Sequence, residues 1–316
     1  MKTLVFNMLT IAATFAAMTA CTSESDPVDE VNPKDAKVEI KFNSSITGVE
    51  TKAAITGTSF NTGSHVGIFA LTHTATDAVT WKETNNYMQN VDGTTGNAGA
   101  ITMTGKHIYP TEGFVSFYAY YPYTSTITCS NGSAPTIPVE IKANEEEQID
   151  YMWATPLLNK TRASATDGAQ KLHFQHALSL LDIYVIKATE VTENLSVNLI
   201  TFKAKNSIAT LNISDGTITP GTTTQVTCTT KDNIGSTLTA TVGDKPIASF
   251  VLLPGENTLS DLSVKIGEKT YSIDAPQVTL TKAQRTKFTI TLTSKDITYG
   301  SDIEDWTGNG TGQGDI

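Results

Sequence analysis

The chain of 316 residues has few cysteines and no long hydrophobic run. Its most apolar stretch, residues 4–18, is too short to cross a membrane as a helix. Apart from Cys21, only Cys129 and Cys228 are present, too few for a structural zinc site. The net charge is −10 and there is no basic patch, which argues against a nucleic-acid partner.

The sequence also lacks the common motifs of catalysis. No Gly-x-Ser-x-Gly elbow and no phosphate-binding glycine loop is present. His173 and His176 are three positions apart, whereas a helical zinc pair is spaced by four. The acidic run "NEEEQID" lacks the alternating oxygen ligands of a calcium loop. We therefore predict a protein that is not an enzyme and that has no cofactor and no metal.

What the sequence does have is strand-forming residues. It is 39% hydrophobic and 17% charged, with runs rich in Thr, Val and Ile. Turn signals such as "SDGT", "TPGT" and "PGEN" recur about every ten residues, a spacing typical of an all-β sandwich. The length suggests two domains. A polar stretch at 159–170 places them at 37–165 and 166–295.

The N-terminus carries an export signal. Lys2 precedes the apolar stretch, and "MTAC" places small residues before Cys21. Residues 1–20 resemble a bacterial lipoprotein signal peptide, which implies cleavage before Cys21 and acylation of its thiol. An ordinary secretory signal is the alternative. Residues 21–36 are a polar tether.

The other two cysteines leave two possibilities open. Cys129 and Cys228 could pair in an oxidising compartment, or they could remain two buried free thiols.

The folded part begins with a short amphipathic strand. Val38, Ile40 and Phe42 alternate with charged residues, as expected for a strand with one buried face. A polar loop follows, in which a single basic residue, Lys52, stands directly before Ala53. Such a loop is open to a protease that cuts after basic residues.

The chain ends in an apolar-anchored tail, residues 296–316. It follows the predicted last strand and contains Ile297, Tyr299, Ile303 and Trp306 among glycines and acidic residues. These side chains argue that the tail contacts protein and is not an ordinary disordered end.

Several stretches, taken in order, resemble a known family. They are "IKFNSSI", "GSHVGIFAL", "YPTEGFVSFYAYYP", "DYMWATP", "LHFQHALSLLDIYV", "VLLPGENTLSDLSVKIG" and "ITLTSKDITYGSDIEDWTGNG". With the lipobox, this order is similar to the fimbrillin-like lipoproteins of Bacteroidales, the subunits of type V pili. The resemblance implies two tandem β-sandwich domains of transthyretin-like topology. It also implies outer-membrane export, trimming by a trypsin-like protease, and polymerisation by donor-strand exchange.

The resemblance assigns roles to both ends of the chain. Relatives are trimmed after an arginine in the loop behind the first strand, whereas Lys52 holds that position here. A protease strictly specific for arginine would not cut it, so the chain either depends on a protease that accepts lysine or stays uncut. Trimming would remove the strand of Val38, Ile40 and Phe42 and open a groove. The tail 296–316 would fill the groove of a neighbour, or else fold back on its own domain.

These inferences predict a structural pilin subunit of a surface fimbria, with shaft favoured over tip or anchor. Its partners would be copies of itself or related pilins, the processing protease, a host or bacterial surface ligand, and the membrane through the lipid. The alternative is a monomeric surface lipoprotein that binds glycans on exposed aromatic rings near Phe117–Tyr123 or Trp81.

Overall fold

The structure is a computed structural model that describes residues 37–47, 55–56, 59–74, 76, 79–82, 86–129, 132–222 and 224–305. Cys21, Lys52, Ala53 and Trp306 lie outside the described residues, as do the predicted signal peptide and most of the tether. Within the described part, no helix is long and apolar enough to span a membrane.

The described residues form β-strands and three short 3₁₀ turns, so the all-β prediction is confirmed. The turns are Asn97–Gly99, Glu145–Glu147 and Arg162–Asp167. The strands are β1 Phe42–Thr47, β2 Ile55–Thr56, β3 Ser59–Phe60, β4 His65–His73, β5 Asn86–Thr95, β6 Ala100–Met103, β7 Phe114–Tyr121, β8 Thr136–Glu140, β9 Met152–Ala154, β10 Leu157–Lys160, β11 Gln170–His176, β12 Ser179–Lys187, β13 Ser196–Ala204, β14 Ile208–Asn212, β15 Ile218–Pro220, β16 Val226–Thr229, β17 Ser236–Thr237, β18 Ala248–Leu252, β19 Gly255–Thr258, β20 Ser260–Ile266, β21 Lys269–Ile273, β22 Gln277–Leu280, β23 Gln284–Leu292 and β24 Ile297–Asp305.

The N-terminal strands close into a barrel-like sheet. Seven strands follow one another in the order β7, β4, β5, β6, β1, β11 and β9, and β9 pairs back onto β7. Strand β10 pairs with Val115 and Phe117 of β7, whereas β9 pairs with Tyr120 and Tyr121 further along the same strand. A closed sheet has no free edge along which another strand could pair.

Strand β4 is buried on both faces. Val66, Ile68 and Ala70 point into the closed sheet and belong to its core. Phe69 and Leu71 point the other way, into a second core. The nearly continuous apolar run "HVGIFAL" at 65–71 predicts a strand covered on both faces, and the burial of β4 confirms this prediction.

Strand β7 divides its side chains in the same way. Phe117 and Ala119 face the interior of the closed sheet. Tyr118 and Tyr120 face the second core. The sequence "FVSFYAYY" predicts this alternation, with Phe117, Ala119 and Tyr121 on one face and Ser116, Tyr118 and Tyr120 on the other, and the structure confirms it.

The C-terminal strands build the second core. One sheet has the order β18, β12, β23 and β24, and another has the order β16, β13, β20 and β21, with β17 beside β13. Phe202 of β13 meets Phe250 of β18 edge to face, with ring centroids 4.9 Å apart. These two sheets therefore pack face to face around a shared apolar layer.

Three strand pairings cross the boundary predicted between residues 165 and 166. Strand β11 follows the boundary but pairs with β1 and β9 in the closed sheet. Strand β8 precedes it but pairs with β14. The division into 37–165 and 166–295, and the transthyretin-like topology, stay predictions.

Candidate functional site

Strand β1 closes the N-terminal sheet. It runs antiparallel to β6, with Phe42 opposite Ile101, and parallel to β11, with Phe42 opposite Gln170. The pairing with β11 continues along the whole of β1. No other described strand lies between β6 and β11 in the sheet order.

The chain before β1 is held to the same sheet. The amide of Ile40 donates to the carbonyl oxygen of His107, and the amide of Tyr109 donates to that of Val38, both at 2.8 Å. The extended segment therefore reaches from Val38 to Thr47. The covalent chain from this segment to β2 runs through residues 48–54, which contain Lys52.

The inward side chains of this segment are among the most buried in the protein. Ile40 is 1% exposed and Phe42 is 2% exposed, while Val38 is half-buried at the end of the segment. The ring of Phe42 meets that of Phe117 edge to face, with centroids 4.9 Å apart. Complete burial of such side chains is worth roughly 1.5–3 kcal/mol each.

Two further inward residues, Ser44 and Ile46, extend the buried face beyond the predicted Val38, Ile40 and Phe42. The Ser44 hydroxyl donates to the carbonyl oxygen of Gly99 at 3.0 Å. Gly99 has φ +77°, and a Cβ there would stand 2.4 Å from the Ser44 carbonyl oxygen. The spacing of two from Ile40 to Ile46 was the signal for this longer strand.

The outward side chains of β1 are polar and lie beside those of β11. Asn43 is opposite Lys171, and Ser45 is opposite His173. Nδ1 of His173 lies 2.8 Å from the Ser45 hydroxyl. The site therefore has an apolar inner side and a polar outer side.

The C-terminal tail is an edge strand in this structure. Strand β24 pairs antiparallel with β23 at the end of its sheet. Tyr299 stacks on Phe288 at 5.4 Å, yet Tyr299 is 49% exposed and Ile303 is 51% exposed. Up to Asp305, the tail thus forms the edge strand beside β23, and about half of the surface of Tyr299 and of Ile303 is exposed to water.

The aromatic rings proposed for glycan binding are mostly buried. Trp81 is 7% exposed, and Tyr118 and Tyr120 are 5% and 0% exposed. The ring of Trp81 packs on Tyr118 at 4.7 Å, inside the second core. These rings do not form the exposed platform that stacking on a sugar requires.

The remaining titratable groups have structural partners. Among the described residues, no three potential metal ligands come together. His176 is buried with its Nδ1 2.8 Å from a carboxylate oxygen of Asp150. Cys129 and Cys228 are both buried and form no disulfide with each other, and burial raises the pKa of Cys228 to about 12.

Comparison with known proteins identifies the family. The model of the family described as "Fimbrillin-like" matches residues 51–306. A curated relative from Bacteroides uniformis, named "Putative fimbrium subunit Fim1C", is 26% identical over 321 residues, covering 96% of each chain.

Solved structures share the fold. A "putative cell adhesion protein" from Bacteroides uniformis aligns with TM-score 0.57 and 21% identity, covering 86% of this chain and 99% of that one. A "fimbrial protein" from Bacteroides vulgatus aligns with TM-score 0.55 and 17% identity, covering 84% and 99%. With the family match over most of the sequence, the chain belongs to the fimbrillin-like family, whose members are structural subunits of cell-surface fimbriae.

Proposed function

We propose that this chain is the shaft subunit of a type V fimbria, assembled by donor-strand exchange. It is exported as an outer-membrane lipoprotein acylated at Cys21 and is trimmed between Lys52 and Ala53 by a trypsin-like protease. The observation that carries the proposal is the position of β1, which closes the seven-strand sheet and ends at Thr47, just before the cleavage loop.

Trimming would turn a closed sheet into an acceptor. Without β1, the facing backbones of β6 and β11 lose their partner. Side chains that now cover Ile40 and Phe42 would face a groove. Unpaired strand edges beside apolar surface readily recruit an extended segment from another chain.

The free energy available is large enough for a lasting polymer. Ile40, Phe42 and Ile46 are almost fully buried, so equivalent side chains would contribute roughly 1.5–3 kcal/mol each. The restored backbone hydrogen bonds would add about 1 kcal/mol each. The gross sum is on the order of 10 kcal/mol, from which the cost of association must be subtracted.

The tail 296–316 is the proposed donor. Among the described strands, β24 pairs with β23 alone, and Tyr299 and Ile303 stay half exposed there. Moving them into a fully covered groove would bury apolar surface that now faces water. A chain with both a removable first strand and a donor tail suits a shaft subunit, which must accept and donate. The two tandem sandwich domains are part of the same proposal.

Limited trypsin digestion of residues 22–316 tests this function, with Lys52→Gln as the matched control. We expect cleavage after Lys52, followed by a ladder of oligomers on gels and filaments in electron micrographs. The Lys52→Gln protein should remain monomeric under the same digestion. A wild-type chain that is cut after Lys52 and stays monomeric would contradict the proposal.

A further inference from the structure

Strand β1 and strand β24 share an internal sequence match. Residues 40–46 read "IKFNSSI" and residues 297–303 read "ITYGSDI". Every second position agrees: Ile with Ile, Phe with Tyr, Ser with Ser, and Ile with Ile. In a strand, every second side chain points to the same face.

The matching positions are the ones that face inward in β1. Ile40, Phe42, Ser44 and Ile46 are all buried in the closed sheet. Their counterparts in β24 lie on one face, opposite the buried residues Phe288, Ile290 and Leu292 of β23. The tail thus repeats the buried pattern of the first strand while leaving much of it exposed.

The serine position carries a specific polar contact. The carbonyl oxygen of Gly99 accepts the hydrogen bond of Ser44, and the Gly99 backbone lies so close to the backbone of β1 that a Cβ on Gly99 would stand 2.4 Å from the Ser44 carbonyl oxygen. Because Ser44 is buried, a much larger side chain at this position would have to displace its neighbours. Ser301 is the residue of the tail that supplies the hydroxyl.

The match between β24 and β1 holds in only one chain direction. Read forwards, Tyr299 falls on Phe42 and Ser301 falls on Ser44. Read backwards, the tyrosine would fall on the buried serine position and a serine would fall beside Phe117. A segment that uses the match must therefore run as β1 does, parallel to β11 and antiparallel to β6.

We propose that the tail of a second copy takes the vacated place in one register, which is set by the repeated pattern of alternate residues. That register puts Ile297 at Ile40, Tyr299 at Phe42, Ser301 at Ser44 and Ile303 at Ile46. The inference rests on the proposed function, because it requires β1 to leave. It adds the register, the strand direction and the residues that set specificity.

The outer side of the strand agrees with this register. Asp302 would take the place of Ser45, beside His173 of β11. Gly300 would take the place of Asn43, beside Lys171. The carboxylate of Asp302 would thus replace the Ser45 hydroxyl as the partner of the His173 ring nitrogen.

Labelled peptides test the register when they are added to a chain of residues 22–295, which lacks the tail and cannot fill its own groove, after trypsin has trimmed it and been inhibited. The peptides are residues 37–47, residues 296–305, and the second peptide with Ile297 and Tyr299 exchanged, an order that matches β1 in neither direction. The exchanged peptide has the same composition and the same apolar content. Fluorescence anisotropy should report binding of the first two and at least about 30-fold weaker binding of the third, because its aromatic ring no longer fits.

The other outcomes separate this inference from the proposed function. Binding of 37–47 without 296–305 would overturn the self-recognition while leaving the groove intact. Equal binding of 296–305 and the exchanged peptide would overturn the register. Failure of both natural segments to bind would mean that trimming opens no groove, and the proposed function would fall with the inference.

Discussion

The ring of Phe42 stands edge-on to the ring of Phe117, with centroids 4.9 Å apart and an interplanar angle of 81°. Phe117 belongs to the retained part of the closed sheet, whereas Phe42 lies on the strand that trimming would remove. The contact between the two rings therefore joins the strands that trimming would retain to the strand that trimming would remove. Substitutions on the two sides of this contact should affect different states of the protein.

The substitution Phe42→Ala should destabilise the precursor alone. The side chain is 2% exposed, so its loss should cost about 3–5 kcal/mol of unfolding free energy. Chemical denaturation of residues 22–316 measures this loss. After trimming, the variant and the wild type have the same sequence, so their polymers should dissociate at the same denaturant concentration. Polymers weakened by Phe42→Ala would show that β1 stays in the assembled state.

The substitution Tyr299→Ala should have the opposite pattern. Because Tyr299 is 49% exposed in the uncut chain, its removal should cost the precursor only about 1 kcal/mol. In a polymer the ring would be fully buried against the neighbour, and its loss should cost about 3–5 kcal/mol per joint. Denaturant-induced dissociation of filaments provides the measurement. Unchanged filaments would exclude Tyr299 from the subunit joint.

The sequence alone predicted the strands with strong local patterns. The continuous apolar run of β4 indicated burial on both faces of the strand. The aromatic alternation of β7 indicated which of its side chains share a face. The pairing of β1 with β11 could not be predicted, because Ser45 and His173 are 128 positions apart and no local signal joins them. The polar stretch 159–170 looks like a linker, although the strand directly after it returns to the first sheet.

The site was predictable in part for similar reasons. The alternation of Val38, Ile40 and Phe42 placed the first strand, but Ser44 and Ile46 were not among the side chains predicted to fill the groove. The hydroxyl of Ser44 bonds to the backbone of Gly99, which comes from a distant turn. A buried serine whose hydrogen bond goes to a distant carbonyl oxygen cannot be recognised from the residues next to it in the sequence.

The substitution Gly99→Ala should weaken both the precursor and the polymer, since β1 and the incoming tail would cross the same backbone. Its φ of +77° disfavours alanine, and the added Cβ would clash with the strand. Gly63→Ala is the matched control, because its φ is +89° but nothing lies within 4 Å. We expect about 1 kcal/mol for the control and at least about 2–3 kcal/mol for Gly99→Ala, measured by thermal unfolding. Equal losses of unfolding free energy in the two variants would mean that the Gly99 backbone does not lie close to β1.

The buried thiol of Cys228 should contribute an alkaline loss of stability. Its pKa is raised to about 12 by burial, from 9.0 in an exposed thiol. Above about pH 9 the unfolded chain loses a proton that the folded chain keeps, so the free energy of unfolding falls as pH rises. Unfolding measured from pH 8 to pH 10.5 should show a shallower decline in Cys228→Ala than in the wild type. Identical slopes would indicate that the thiol is not held protonated by the fold.

The exchange of strands itself is most directly tested by disulfide trapping between His173→Cys and Asp302→Cys. The two residues belong to different sheets in this structure, but the proposed register places them opposite each other in neighbouring subunits. After trimming, oxidation should give a ladder of covalent oligomers. The same variant carrying Lys52→Gln should give none, because Ser45 keeps its place beside His173. If filaments form on trimming and cross-link through Lys171→Cys and Asp302→Cys but not through His173→Cys and Asp302→Cys, the proposed register would be wrong. If filaments form and cross-link through neither pair, the tail does not occupy the position that β1 leaves.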